Sequence, residues 1–208
     1  MRPGSLADMQ LIALTGGIAS GKSTIGRRLE ELGAVRVDAD QLAREAVAPG
    51  SRGLRRVVER FGAELLTADG SLDRAALGSR VFGDEAALAE LNAIVHPEVR
   101  RLFEQRLAET RAVDPSAVVV YELPLLVETG AVDGWDLVVV ADAPERVRIA
   151  RMVELRGMTE QEAVDRLASQ AGDDERRAVA DVVIDTSGSE DRTLEQVDAL
   201  WDRLTRPE

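Results

Sequence analysis

The chain has 208 residues, of which 45% are hydrophobic and 31% are charged, so it can form a packed core and is not of the disordered class. Its net charge of −12 argues against a protein that coats nucleic acid, and the absence of cysteine excludes disulfides and thiolate metal sites. No apolar run approaches the ~18 residues of a membrane span, and the N-terminus lacks the apolar segment of a secretory signal. We therefore expect a cytoplasmic protein with no membrane partner and no nucleic-acid partner.

The N-terminal quarter of the chain alternates between strand and helix patterns. Residues 1–8 form a polar extension, which we expect to be flexible. Apolar periodicity and turn residues then predict a strand at 10–14, a helix at 22–32, a strand at 34–37, and a helix through 42 and 46 that ends near 49–50. Strand, helix and strand in this order indicate a parallel sheet with a right-handed crossover.

The middle of the chain, from 51 to about 111, contains no strand-like run. Helical periodicity predicts separate helices at 52–61, 71–82, 85–94 and 97–110, with Pro97 in the first turn of the last. Strand patterns resume afterwards, at 117–121, 137–141 and 181–185. The remaining helices are predicted at 144–156, from a capping box at 159–162, and at 190–204.

Residues 16–23 (GGIASGKS) match the phosphate-binding pattern G-x-x-x-x-G-K-[ST] between a predicted strand and a predicted helix. Glycines allow successive backbone N–H groups to converge on phosphate oxygens, and the helix N-terminus adds its dipole. Lys22 is the only lysine among 26 basic residues, which indicates a role that arginine cannot fill. It would contact the β- and γ-phosphates of ATP, and Ser23 would bind Mg²⁺.

Acidic residues follow two of the predicted strands. Asp38 and Asp40 would face the same way if the second strand stayed extended, and they would then point into the ligand crevice at the carboxyl edge of the sheet. They could act as a general base, as Mg²⁺ partners or as both; alternatively, Asp40 caps the next helix. Glu122 ends the strand at 117–121 and resembles the acid that helps to hold Mg²⁺ in P-loop proteins, although a solvated strand end is equally consistent with the pattern.

Several arginines are grouped on the predicted helix at 144–156. Arg148 and Arg151 are three residues apart and share a face, which suits a lid that closes on phosphates; a solvated surface is the alternative. His96, the only histidine, precedes Pro97 and is interpreted as a cap or a packing residue.

These motifs, in this order, resemble the dephospho-CoA kinase family, and the resemblance runs from Met9 to the final helix. The matching segments are 15–24 (TGGIASGKST), 37–40 (VDAD), 61–62 (FG), 69–74 (DGSLDR), Asn92 with His96-Pro97, 124–128 (PLLVE), Gln170 and 180–184 (ADVVI).

The resemblance implies an α/β fold of the P-loop kinase type, in which helices flank a parallel five-stranded sheet. It implies a nucleotide-binding core at 9–50, 112–144 and 178–208, a helical CoA-substrate domain at 51–111, and a lid at 145–177. The activity implied is transfer of the γ-phosphate of ATP, with Mg²⁺, to the ribose 3′-hydroxyl of dephospho-CoA. We expect a monomer, with weak oligomerisation as the alternative.

The resemblance also implies roles for individual residues. Asp40 is the expected base, Lys22 the phosphate clamp and Arg151 the lid arginine. The expected ATP-binding residues are Gly17, Ile18, Ala19, Ser20, Gly21, Lys22, Ser23, Thr24, Arg148 and Arg151. The expected substrate-binding residues are Asp38, Asp40, Arg44, Leu72, His96, Pro124, Leu125 and Glu128. The expected metal ligand is Ser23, with Glu122 as a second candidate.

Three positions depart from the family pattern. Ala19 replaces a glycine, which we expect the loop to tolerate because a negative φ is assumed there. Glu122 replaces an aspartate, which leaves its metal role open, and Thr186 replaces an asparagine, which leaves the adenine contacts open.

Three other functions are alternatives to the activity that the resemblance implies. A different small-molecule P-loop kinase, acting on a nucleoside monophosphate or a sugar acid, is the main alternative. A GTPase switch is excluded because the guanine-binding motif needs a second lysine. A scaffold would leave Asp38, Asp40 and the arginine-rich helix unexplained.

Overall fold

The computed structural model describes residues 9–206 and contains a five-stranded sheet with the strand order β2-β3-β1-β4-β5. β1 pairs in parallel with β3 and with β4, and β4 pairs in parallel with β5. The predicted parallel sheet is therefore confirmed, whereas the predicted extension at 1–8 lies outside the described residues. The strands are β1 Gln10–Gly16, β2 Val35–Asp38, β3 Val118–Glu122, β4 Leu137–Asp142 and β5 Val182–Asp185.

Helices connect successive strands except β3 and β4, which are joined by a segment without a helix, and a short 3₁₀ helix covers Ala63–Leu65. None of the helices within residues 9–206 is both long enough and apolar enough to cross a bilayer. The α-helices are α1 Lys22–Leu32, α2 Ala39–Ala46, α3 Arg52–Phe61, α4 Arg74–Val81, α5 Glu85–Val113, α6 Glu145–Arg156, α7 Glu160–Ala168, α8 Asp173–Ala178 and α9 Glu190–Thr205.

The central strand β1 is buried on both faces, as its unbroken apolar run predicts. Ile12 and Leu14 belong to a core cluster that also contains Ile25 of α1 and Val197 of α9. Ala13, one residue out of phase, belongs to a separate cluster on the other face of the sheet, with Leu126, Val138 and Val140. These two clusters fix β1 in the sheet, and with it the loop that follows β1.

The chain divides into two compact units, one formed by 9–37 and 110–206 and the other by 38–109. The second unit is helical and has its own core, which includes Val57, Phe61 and Ile94. One antiparallel bridge, between Leu66 and Leu72, adds a contact that the sequence pattern did not predict.

The prediction of separate helices at 85–94 and 97–110 was wrong, because α5 continues through Pro97. Proline inside a helix removes one hydrogen bond and costs about 3 kcal/mol. The helix continues because its row of inward-facing side chains continues past the proline. Leu91 and Ile94 pack on the core of this unit, and Glu98 follows at the next inward position. Pro97 and His96 are exposed, so the proline ring lies outside this packing.

Candidate active site

The phosphate loop lies between β1 and α1, as predicted. The Ser20 N–H donates to Gly17 O at 3.1 Å, and the Thr24 N–H donates to Gly21 O at 3.0 Å as α1 begins. Gly21 has φ of +85°, and a Cβ there would lie 3.2 Å from the Thr186 side chain. The loop therefore needs glycine at this position both for its backbone conformation and for space, and it leads into a helix N-terminus suited to anions.

The expectation of a negative φ at Ala19 was wrong: φ is +58°, in the left-handed region. This conformation costs an L-residue with a Cβ roughly 1–2 kcal/mol, which explains why glycine is the natural choice here. The Ala19 carbonyl accepts a hydrogen bond from Arg151 Nη1 at 3.1 Å. The strained conformation is thus held by a side chain from α6.

Arg151 and Thr186 together brace the phosphate loop. Arg151 also donates through Nη2 to the Thr186 carbonyl. The Thr186 hydroxyl donates to Ser20 O at 2.6 Å, and its side chain is only 3% exposed. A second loop contact, from Ile18 N–H to Gln170 Oε1 at 2.8 Å, comes from the α7–α8 connection. In this structure Arg151 therefore binds backbone carbonyls, and the Thr186 hydroxyl binds a backbone carbonyl of the phosphate loop.

Arg148 differs from Arg151 in its environment. It is 4% exposed, and its Nη2 donates to Asp173 Oδ1 at 2.7 Å. Its Nε and Nη1 have no hydrogen-bond partner within residues 9–206, and Nη1 lies only 2.1 Å from the position that a Cβ on Gly17 would occupy. Arg176 Nη2 lies near the same position, at 3.1 Å.

Arg176 and Asp173 are not among the residues that the sequence pattern predicts for the site. Arg176 is 5% exposed, and it donates to Asp173 Oδ1 at 2.9 Å. The local signal is weak, because an acid and an arginine three residues apart on a helix usually form an exposed pair. Their importance comes from the contact with Arg148, which is 25 residues away in the sequence.

Glu122 is buried at the end of β3, where it forms an ion pair. Arg36 Nε on β2 donates to its Oε1 at 2.5 Å, and the Glu122 side chain is 4% exposed. Gly26 of α1 approaches so closely that a Cβ there would lie 2.0 Å from the same oxygen. The carboxylate is therefore engaged with Arg36, and the solvated strand end that the sequence left open is not what the structure shows.

The described side chains near the phosphate loop include few that could bind Mg²⁺. No group of three or more acidic or histidine side chains able to hold a metal occurs within residues 9–206. Mg²⁺ in kinases is commonly held by phosphate oxygens and water with one or two protein ligands, so such a group is not required. Ser23, the second residue of α1, fits as the hydroxyl ligand, and Glu122 remains a candidate only with one oxygen already bound by Arg36.

The expectation that Asp38 and Asp40 lie on one strand face was wrong, because α2 begins between them, at Ala39. Asp38 Oδ1 accepts from the backbone N–H groups of Asp40 at 2.7 Å and Gln41 at 3.2 Å. Asp38 is thus the helix cap, the role that the sequence analysis had considered for Asp40. Asp40 lies exposed in the first turn of α2.

The expected substrate-binding residues are spread over both units. In the unit formed by 38–109, Arg44 and His96 are exposed on helices, whereas Leu72 is buried in the core. Two more, Pro124 and Leu125, follow β3, where Leu125 is exposed although Leu126 beside it is fully buried.

Glu128 contacts residues of the α7–α8 segment. Its Oε1 accepts from the backbone N–H of Ala171 at 2.9 Å and lies 3.8 Å from Arg176 Nη1. The structure therefore links Glu128 to the α7–α8 segment, a contact that the sequence pattern did not indicate.

Comparison with known proteins agrees with this geometry. A family model described as dephospho-CoA kinase matches residues 10–191. A dephospho-CoA kinase of Leifsonia xyli is 53% identical over 193 residues, covering 93% of this chain and 98% of that protein. A dephospho-CoA kinase of Streptomyces avermitilis is 50% identical over 193 residues, covering 93% of each.

Solved structures give the same result for the fold. A crystal structure from Thermus thermophilus aligns with a TM-score of 0.81 at 32% identity, over 96% of this chain and 100% of that one. Dephospho-CoA kinase from Campylobacter jejuni aligns with a TM-score of 0.66 at 23% identity, over 96% and 98%. The family model spans most of the chain and relatives of about half identity extend over nearly all of it, so the chain belongs to the dephospho-CoA kinase family.

Proposed function

We propose that this protein transfers the γ-phosphoryl group of ATP to the ribose 3′-hydroxyl of dephospho-CoA, giving coenzyme A and ADP. The observation that carries the proposal is the strand–loop–helix at 16–23 with the chain's only lysine, in a protein of this family. In this reaction the 3′-oxygen bonds to the γ-phosphorus, the bond from that phosphorus to the β,γ-bridging oxygen breaks, and the hydroxyl proton leaves.

The phosphate loop supplies most of the binding of the nucleotide. Its backbone N–H groups and the N-terminus of α1 stabilise the negative charge, and Lys22 adds a compact cation at the β- and γ-phosphates. Ser23 would hold Mg²⁺, which neutralises charge that develops on the phosphates. Arg148 and Arg151 come from α6, within the proposed lid at 145–177, and complete the positive surroundings of the triphosphate.

Asp40 is the proposed general base. Asp38 already accepts two backbone N–H groups as the cap of α2, whereas Asp40 is exposed and is not needed for capping. A free carboxylate can orient the ribose hydroxyl and accept its proton as the new bond forms. This difference favours Asp40 over Asp38 as the base.

The acceptor is proposed to be bound by the helical unit, together with the segment after β3. The proposed contacts are Asp38, Asp40, Arg44, Leu72, His96, Pro124, Leu125 and Glu128. The protein is proposed to act as a cytoplasmic monomer, with ATP and dephospho-CoA as its partners.

The experiment measures ATP consumption with dephospho-CoA, AMP, a nucleoside, or no acceptor. We expect turnover with dephospho-CoA at least ~10²-fold above the other acceptors, and turnover preferentially with AMP would replace this proposal by a nucleoside monophosphate kinase. Asp40→Asn should fold with an unchanged Tm, bind ATP and lose at least ~10²-fold in kcat.

The matched control is Asp38→Asn, since asparagine caps a helix as well as aspartate does. It should retain most of the kcat and at most raise the KM for dephospho-CoA, because its oxygen can still accept from Asp40 and Gln41. If Asp38→Asn were the inactive variant and Asp40→Asn the active one, the base would be Asp38.

A further inference from the structure

Arg148 is a buried cation with unused donors. Its side chain is 5% exposed, and Asp173 binds only its Nη2 atom. Nε and Nη1 together carry three of the five N–H groups of the guanidinium, and they have no partner among the described residues. Buried donors without a partner cost free energy, so such a group needs a partner from outside the protein, which can be an ordered water or a bound anion.

The unpaired Nη1 of Arg148 lies beside the phosphate loop. Nη1 fills the space where a side chain at Gly17 would begin, at 2.1 Å from that position. Gly17 is the second residue of the loop that holds the β- and γ-phosphates in the proposed reaction. The N–H groups of Arg148 Nη1 therefore lie beside the loop, where a bound anion would contact them.

Asp173 and Arg176 hold Arg148 in this place. One oxygen, Asp173 Oδ1, accepts from Arg148 Nη2 at 2.7 Å and from Arg176 Nη2 at 2.9 Å. Arg176 has a second carboxylate partner in Glu128, whereas Arg148 has none besides Asp173. Of the two buried guanidinium groups, Arg176 is thus compensated by protein carboxylates, and Arg148 retains donors for a ligand.

We propose that Asp173 and Arg176 are positioning residues, which fix Arg148 against Gly17 so that its Nη1 binds the terminal phosphate of a nucleoside triphosphate. The proposal rests on the proposed kinase function and deepens it. Preorganisation of this kind lowers the barrier because the cation need not reorient as charge shifts during transfer. It also predicts discrimination, since a diphosphate lacks the group that Arg148 would contact.

The test compares Asp173→Asn with Asp174→Asn. Asp174 is the next residue on the same helix, and its side chain is fully exposed and pairs only with Arg177 among the described contacts. The dissociation constants of ATP and ADP are measured by calorimetry without acceptor, and kcat is measured with dephospho-CoA. Asp173→Asn should raise the dissociation constant of ATP at least ~10-fold, while the dissociation constant of ADP changes less than ~2-fold. It should also lower kcat by ~10²-fold, which is the scale of the loss caused by a 1 Å misplacement.

If Asp173 had only a structural role, the affinities for ATP and ADP would fall together or neither affinity would change. Either result overturns the proposal. Arg176→Lys provides a second variant, with Arg177→Lys as its control. It keeps the charge but loses the planar fork that joins Asp173 and Glu128, so we expect the same selective loss of ATP affinity.

The acceptor assignment is tested separately, because both dissociation constants are measured without acceptor. If wild-type protein prefers ATP and Asp173→Asn abolishes that preference, the positioning role holds even if dephospho-CoA proves to be the wrong acceptor. If dephospho-CoA is phosphorylated but the ATP preference of Asp173→Asn equals that of Asp174→Asn, only the positioning role is refuted.

Discussion

Gly26 provides a sharp test of the packing between α1 and the end of β3. On helix propensity alone, Gly26→Ala should stabilise the protein by about 1 kcal/mol, because Gly26 lies inside α1. The structure predicts the opposite. A Cβ at this position would lie 2.0 Å from Glu122 Oε1 and 3.0 Å from Arg36 Nε, about 1.3 Å short of a carbon–oxygen contact of about 3.3 Å.

The size of the stability loss depends on how far the ion pair between Arg36 and Glu122 can move. Overpacking a buried site costs about 1–3 kcal/mol, and the upper value applies because the Glu122 side chain is 4% exposed and already bonded to Arg36. Losing that partner entirely would cost about 3–5 kcal/mol, which bounds the effect from above. After the propensity gain of about 1 kcal/mol, we expect a net loss of about 2 kcal/mol, or roughly 4–8 °C in Tm.

The matched control is Gly78→Ala. Gly78 lies inside α4, and no atom lies within 4 Å of its would-be Cβ, so the same substitution should raise stability by up to about 1 kcal/mol. Thermal melting of both variants is the assay. Equal stabilisation of the two would refute the proposed clash.

A double variant tests the cause of the clash. Glu122→Asp withdraws the carboxylate by one methylene, so adding it to Gly26→Ala should cost less than the two single changes added together. Strict additivity would mean that Gly26 and Glu122 do not interact.

Two further predictions concern the loop and one surface ion pair. Ala19→Gly should raise stability by about 0.5–1 kcal/mol, measured by thermal melting, because relief of roughly 1–2 kcal/mol of left-handed strain exceeds the unfolded-state entropy of glycine; a lower Tm would contradict this. Hydrogen bonds from Arg28 lower the pKa of Asp198, so this carboxyl stabilises the fold above its unfolded pKa of about 3.9 and loses that contribution as pH falls through the lower folded pKa. Asp198→Asn should therefore show a flatter decline of Tm between pH 5 and pH 2 than wild type, and parallel curves would argue against the pair.

Much of the fold could be predicted because its signals are local. The helix at 22–32 was predicted with its observed bounds, since Gly33 closes it and Ile25 and Leu29 provide its buried face. The short helix at 173–178 was not predicted, because its six residues are polar or small and carry no apolar stripe. The long helix α5 was divided at Pro97 because local propensity cannot weigh a break against packing on both sides of it.

The candidate site shows the same limit more strongly. The loop motif predicts which residues form the phosphate site, yet the left-handed φ of Ala19 depends on a bond from Arg151, which comes from α6. Other contacts follow from the order of the strands in the sheet, which must be known before they can be predicted. Arg36 binds Glu122 because β2 lies beside β3. No residue spacing in the sequence indicates either contact.

The single lysine can be explained by what the arginines of this protein do. Arg151 donates through Nη1 and Nη2 to two carbonyls, and Arg148 donates through Nη2 to a carboxylate with its Nη1 toward Gly17. A planar fork suits such bridging between fixed oxygens, whereas an ammonium on a flexible stem offers a compact charge that can follow a moving phosphoryl group. Lys22 stands at the position of the motif that is proposed to contact the β- and γ-phosphates, where that second property is needed. Arginine therefore suits the bridging contacts that these two side chains of α6 make, and lysine suits the phosphate contact that is proposed for Lys22.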